Sequence, residues 1–469
     1  MSDSLLRQVP AVHRVLAHPA LEPFLTEQGV DGVTQAIRAE LDALRQAIIQ
    51  GTASLPDCHP DVICGRLITR LQQANQLRFR RVINATGIIL HTNLGRSVLC
   101  PEALEAIVMA GSGYLNLELD LATGQRSSRQ DFIRELCTEL TGAESATVVN
   151  NCAAATVIVL RALAMGREVI VSRGQLIEIG GSFRIPDVMQ VSGAQLREVG
   201  TTNITRLSDY ENAIGPNTAA LMLIHPSNYR VRGFTQSVAL EELVALGRKC
   251  NIPVIDDCGS GAMIDLSPYG LTDEPIIPER VALGADIVLF SGDKLLGGPQ
   301  SGLILGKKKW IEKIERDPLM RALRLDKLTL AALEATLQQY RNRRTVTQLV
   351  PTLRMITLQE RESHERVERV TAAIQEINDL LSVRIDDDQT YIGGGSVPDQ
   401  AFSARLICIR AQTMSENDLA MRLREQNPAI MGRLRQGEFC LDLRTVLLNQ
   451  ETSLVDGIRG CIRMGTPTI

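Results

Sequence analysis

The sequence predicts an α/β protein: a mostly parallel sheet covered by helices, preceded by a helical domain and followed by a small α/β domain. Three observations carry this prediction. Short, continuous apolar runs alternate with helical patterns from about residue 83 onward. The stretch before them shows helical periodicity alone, and the last part mixes a β-like run with the Gly-rich "YIGGGSVP" (391–398). The expected boundaries are 1–77, 78–335 and 336–469.

In the first segment, "DGVTQAIRAELDALRQAIIQG" places Val33, Ile37, Leu41, Leu44 and Ile48 on one helical stripe, with Asp31 as a start cap and Gly51 as a stop. A second stripe runs through Val62, Ile63, Leu67, Ile68 and Leu71. The segment ends in "QLRFRRVIN", where Arg78, Arg80 and Arg81 surround Phe79. That cluster reads either as a charged linker or as an RNA-facing patch.

In the second segment, "SATVVN" (145–150), "EVIVSR" (168–173), "AALMLIHP" (219–226), "IPVIDD" (252–257), "DIVLFSG" (286–292) and "SGLILG" (301–306) read as strands. "AAATVIVLRALAMG" and "SVALEELVALGRKC" (237–250) read as helices between them. Strands that are apolar at every position are buried on both faces, which is the signature of a parallel sheet between helix layers. Ligands of such sheets bind beyond the carboxyl ends of the strands. The third segment follows the helix "LTLAALEATLQQYRN" (328–342) and contains the β-like "FCLDLRTV" (439–446).

Composition excludes several classes. The 469 residues are 44% apolar, and no apolar run approaches the length of about 20 residues that spans a bilayer. The N-terminus lacks a basic region followed by an apolar core, so no signal peptide is expected. Ten cysteines are scattered without a C-x-x-C pair, as in reduced cytoplasmic proteins. The net charge of −4 argues against a general nucleic-acid binder. H-E-x-x-H, P-loop, G-x-G-x-x-G and G-x-S-x-G motifs are absent, and no metal site is expected.

The strand ends hold the chemistry. Arginine outnumbers lysine by 43 to 7, yet a lysine, Lys294, follows the apolar run "DIVLFSGD" directly and precedes the turn "LLGGPQSG". Asp256 and Asp257 end another strand, and Asn150-Asn151 end a third that runs into a helix near Ala153. In a parallel sheet these ends share one edge. A lysine amine condenses with an aldehyde, which a guanidinium does not do. A carboxylate opposite a pyridine nitrogen keeps that nitrogen protonated. Backbone N–H groups at a helix start receive a phosphate, and Ser291 adds a hydroxyl. Together these groups suit pyridoxal 5'-phosphate. Singly, Lys294 also reads as a surface lysine and the aspartates as helix caps; His225, at a strand end before "PSNY", reads either as a group approaching the cofactor or as a structural histidine.

At this level the chain resembles the bacterial L-seryl-tRNA(Sec) selenium transferases, also called selenocysteine synthases. The resemblance rests on "FSGDKLLGGPQ", "INATGIILHTNLGR" (83–96), "VVNNCAAA" (148–155), "VSRGQLIEIGGSFRIPDVM" (171–189), "VGTTNITRLSDY" (199–210), "LMRALRLDKLTLAALEATL" (319–337) and "PAIMGRL" (428–434). It covers nearly the whole chain. It implies a fold type I pyridoxal-phosphate enzyme that makes selenocysteinyl-tRNA(Sec) from seryl-tRNA(Sec) and selenophosphate. It also implies a homo-oligomer, a decamer in this family, whose N-terminal domain contacts the tRNA.

The resemblance implies roles for individual residues. Lys294 holds the cofactor and removes the seryl Cα proton, Asp293 assists proton transfer, and Asp257, in preference to Asp256, faces the pyridine nitrogen. Asn151, Cys152, Ala153 and Ser291 complete the cofactor site. Cys152 stands where the family commonly has asparagine, which points to its backbone and away from its thiol. Arg96, Arg321 and Arg324 bind selenophosphate, the last two from one helical face. The alternatives are a related lyase acting on a small amino sugar or amino acid, and a non-catalytic tRNA-binding scaffold.

Overall fold

A computed structural model describes residues 2–463 apart from 76–77, 182, 378–380 and 395. The chain forms two compact units, Met1–Arg81 and Val82–Ile469.

The first unit is helical. Its long helix Glu22–Ile49 is interrupted at Gly29, whose φ of 75° and ψ of 162° lie outside helical values. The start expected at Asp31 therefore falls just past this kink, inside the longer element. Val33, Ile37, Leu41, Leu44 and Ile48 are all buried against Ile63, Leu67 and Leu71 of the helix Pro60–Asn75. Val62, which the sequence pattern puts on the same stripe, is 39% exposed. Gly51 ends the long helix with a φ of 73°, in the left-handed region where a Cβ is strained.

The second unit is built on a seven-stranded sheet. Its strands are β1 (Ser145–Val149), β2 (Glu168–Ser172), β3 (Gln195–Val199), β4 (Thr218–Ile224), β5 (Val254–Gly259), β6 (Ile287–Ser291) and β7 (Gly302–Gly306). The order across the sheet is β1-β7-β6-β5-β4-β2-β3, and β7 alone runs antiparallel to its neighbours. β1, β4, β6 and β7 are buried at every position. Their alternate residues feed two separate cores. Val254, Leu221, Leu223, Val288 and Phe290 pack on one face; Ile255, Met222, Ile224, Ile287 and Leu289 pack on the other, with Ala155, Ile158 and Val159 of the helix Cys152–Ala164. The edge strand β3, "QLREV", lies outside the expected set, because three of its five positions are exposed and it carries no apolar run.

A four-stranded antiparallel sheet comes from the C-terminal part: β8 (Leu381–Gly393), β9 (Ser396–Ala411), β10 (Arg433–Arg435) and β11 (Glu438–Asp442), in the order β8-β9-β11-β10. The Gly-rich stretch joins its two long strands. Val82–Asn84, the first residues of the unit, pair in parallel with Ala429–Met431, so the C-terminal layer is completed by a segment that precedes the large sheet. Among the described residues no helix is long and apolar enough to cross a membrane.

Candidate active site

Strand parity decides which side each acidic residue faces. Asp256 and Asp257 are consecutive in β5 and so point to opposite faces of the sheet. Asp256 follows the parity of Val254 and is gripped by Arg280 in a two-pronged pair, Nε at 2.6 Å and Nη2 at 2.9 Å. Asp257 follows Ile255 onto the face covered by the helix Cys152–Ala164. There its Oδ2 accepts the Thr156 hydroxyl at 3.2 Å, and its Oδ1 lies 4.0 Å from the Cys152 thiol. Burial pushes the Asp257 carboxyl up to about 6; the Thr156 hydroxyl pulls against this, Asp256 reinforces it, and Lys294 opposes it.

The lysine sits in a turn fixed by backbone hydrogen bonds. The N–H of Gly292 donates to Ser301 O at 2.9 Å, that of Gly297 to Lys294 O at 2.9 Å, and that of Leu295 to Ser260 O at 3.0 Å. At Gly292 a Cβ would stand 2.1 Å from Ser301 Oγ, so the turn closes only with glycine there. Across from it, Gly261 has a φ of 81°, and a Cβ would meet Ser291 O at 2.7 Å. The glycines after Asp257 thus let the aspartate loop pass close under the lysine turn. Lys294 is 6% exposed and Asp293 7%.

Asn151 caps the helix that follows β1: its Oδ1 accepts the N–H of Ala154 at 2.8 Å. Such a cap contributes about 1 kcal/mol and leaves the earlier N–H groups of the first turn for a ligand. Burial raises the thiol of Cys152 well above its ordinary range, so it stands neutral.

These groups surround one cavity of about 270 Å³. Lys294, Asp293, Asp257, Ser291 and Arg96 line it, as do Asn151, Cys152 and Ala153. Eight of the ten residues singled out from the sequence are therefore brought together. The other two, Arg321 and Arg324, lie outside the cavity and are exposed. The helix expected to align them ends at Leu323, and Arg324 has extended backbone (φ −67°, ψ 144°), so they do not share a helical face. Their segment reaches the end of β1 through the N–H of Asn150, which donates to Leu323 O at 2.9 Å.

Two parts of this cavity, Thr156 and a short hairpin, do not stand out in the sequence. Thr156 lies one helical turn beyond Cys152, a spacing that signals a shared face. His225, for which the sequence leaves a cofactor-facing and a structural role open, lines the cavity directly after β4. A short hairpin, Glu178–Ile179 against Phe183–Arg184, contributes Ile179 and Phe183.

The residues present fit pyridoxal phosphate. A buried lysine amine, a buried carboxylate on the parity of the covering helix, and a capped helix start converge on a space of the right order for a small cofactor.

Comparison with known proteins agrees with this geometry. Residues 82–447 match the family described as L-seryl-tRNA selenium transferase, and residues 6–45 match that described as selenocysteine synthase N terminal. The chain is 46% identical over 446 residues to an L-seryl-tRNA(Sec) selenium transferase of Carboxydothermus hydrogenoformans, covering 95% of each chain. It is 49% identical over 411 residues to one of Nitratidesulfovibrio vulgaris (87% of each) and 44% identical over 469 residues to one of Moorella thermoacetica (99% of each). Among solved structures, D-glucosaminate-6-phosphate ammonia-lyase superposes with a TM-score of 0.57 at 24% identity, covering 84% of this chain and 98% of that one. The architecture is that of the fold type I pyridoxal-phosphate enzymes. The chain belongs to the L-seryl-tRNA selenium transferase family.

Proposed function

We propose that the protein converts L-seryl-tRNA(Sec) to L-selenocysteinyl-tRNA(Sec), with selenophosphate as selenium donor and pyridoxal phosphate as cofactor. The observation that carries this reading is the buried Lys294 amine sharing a cavity with the Asp257 carboxylate in a chain of this family.

When bound, pyridoxal phosphate supplies an aldehyde for amines and an electron sink for charge developed at the seryl Cα. Lys294 is the amine that would hold it. Lys294 Nζ would also take the proton from the seryl Cα. Asp257 would face the ring nitrogen, Ser291 and the first-turn N–H groups of Cys152 and Ala153 would receive the phosphate, and Asn151 keeps that turn formed. The proton taken up by Lys294 would go on to the departing β-hydroxyl, and Asp293, adjacent to Lys294, is proposed to assist that transfer. Arg96 offers a forked cation to selenophosphate, and Arg321 and Arg324 are proposed as further anion contacts.

Residues 1–77 are proposed as the tRNA-contacting domain, 78–335 as the cofactor domain and 336–469 as a smaller companion. The match of residues 6–45 supports the first assignment. Family resemblance implies a decamer, and the exposed Leu104, Val108 and Met109 on the helix Pro101–Ser112 support an apolar surface covered by another copy. The deciding experiment is formation of selenocysteinyl-tRNA(Sec) from purified protein, pyridoxal phosphate, seryl-tRNA(Sec) and selenophosphate. Cofactor-loaded protein that yields no product would overturn the reading.

A further inference from the structure

His225 stands between two spaces. Its backbone N–H donates to Asp257 O at 2.9 Å, which ties it to the carboxylate strand. Its side chain, 23% exposed, lines both the 270 Å³ cavity and a separate groove of about 910 Å³. On the groove side stands Glu274, whose side chain is only 2% exposed. Glu274 Oε1 lies 3.7 Å from His225 Nε2, and its Oε2 accepts the hydroxyl of the fully buried Ser260. A carboxylate withdrawn from water needs donors or a cation close by. Ser260 and His225 both stand against it.

Ser260 is itself fixed. Its N–H donates to Cys258 O at 2.7 Å, and its carbonyl accepts the N–H of Leu295, the residue after Lys294, at 3.0 Å. The path Leu295–Ser260–Glu274–His225 therefore links the lysine turn to an imidazole in the cavity wall. The carboxylate beside Nε2 orients the ring and so bears on which edge it presents to the cavity.

We propose that Glu274, anchored by Ser260, is a positioning residue that fixes the ring of His225 in the wall of the cavity and so strengthens the hold on pyridoxal phosphate. This rests on the reading of the cavity as the cofactor site. The test is a double-mutant cycle on cofactor dissociation from the full-length protein, read by absorbance and equilibrium dialysis without tRNA or selenium donor. Glu274→Gln and His225→Gln should each weaken pyridoxal phosphate by about fivefold or more, and the double variant no further than His225→Gln alone. Additive losses, as from general damage to the fold, or an unchanged dissociation constant in Glu274→Gln, would overturn the proposal. Should Glu274→Gln not fold, Ser260→Ala takes its place in the same cycle, with the same outcomes on either side. A wild-type protein that takes up no pyridoxal phosphate would instead overturn the reading of the cavity.

Discussion

Nη1 of Arg96 donates to Oδ2 of Asp293 at 2.7 Å, joining the loop before the large sheet to the residue that precedes Lys294. Both line the cavity, and Arg96 holds its place with a φ of 63°. An anion that recruits the Arg96 guanidinium must share it with Asp293 or displace it. If selenophosphate binds at Arg96 as proposed, its binding and the freedom of Asp293 beside Lys294 are coupled through one side chain.

Arg96→Lys retains the charge and loses the fork, and it adds no new backbone demand, since both residues carry a Cβ at the same φ. We expect the KM for selenophosphate to rise about tenfold or more, as for loss of one charge-assisted hydrogen bond. Cofactor uptake should be unchanged. Steady-state kinetics with varied selenophosphate, beside a cofactor titration, check both; a normal KM would remove Arg96 from the anion site.

The two aspartates of β5 should separate under substitution. Asp257 titrates near 6 in the folded chain, above the 3.8 of an unperturbed carboxyl, because burial disfavours its charge. The folded state thus binds this proton more tightly than the unfolded one. Its contribution is fully present below about pH 4 and is lost as pH rises through about 6. Asp257→Asn should flatten that fall in the cofactor-free protein, worth on the order of 2–3 kcal/mol above pH 6, while slowing turnover severely. Asp256→Asn strands Arg280, whose side chain is 21% exposed, and should lower the melting temperature while leaving cofactor binding intact. Thermal melts from pH 4 to 8 of both variants distinguish these outcomes; reversed behaviour would invert the parity assignment.

Much of this is legible in the sequence because the determinants are local. Six of the seven strands of the large sheet announce themselves as apolar runs, and Lys294, Asp257 and Asn151 sit at their ends, where topology alone gathers them. The edge strand β3 escapes because one face meets water and needs no apolar residue. Arg321 and Arg324 depart from their expected alignment because the end of a five-residue helix depends on tertiary contacts, here around Leu323, and not on spacing. Glu274 lies 49 residues from His225, a separation over which no periodicity operates, and only the fold sets them side by side.

Lys294→Arg should fold normally and fail at chemistry. The lysine turn is held by backbone bonds, but its interior gives a guanidinium little room, with Lys294 6% exposed. A guanidinium does not condense with the cofactor's aldehyde. Borohydride treatment followed by peptide mass analysis should find one cofactor on Lys294 in the wild type and none in the variant. Product formation should fall by at least about three orders of magnitude, the scale of losing an essential proton acceptor. Activity within tenfold of wild type would remove Lys294 from the centre of the mechanism.

Met1–Arg81 holds nine arginines and eight acidic residues, a net of +1, so bulk attraction cannot select a polyanion. If this unit binds the tRNA as proposed, placed contacts and shape must do so. Arg78, Arg80 and Arg81 are exposed around a wholly exposed Phe79, which gives cations for phosphates and a ring for stacking. Every residue proposed for the cavity lies at or beyond Arg96, and Val82–Asn84 is needed to pair with Ala429–Met431. A chain beginning at Val82 should therefore still take up pyridoxal phosphate while losing most of its affinity for seryl-tRNA(Sec). Replacing the three arginines by glutamine in the full-length chain should do less: log affinity against log salt should become shallower by about 2, as expected for two or three lost phosphate contacts. Filter binding across a salt series, with cofactor absorbance on the same preparations, reads all three proteins. Full tRNA affinity in the truncated chain would take the RNA-binding role away from the helical unit.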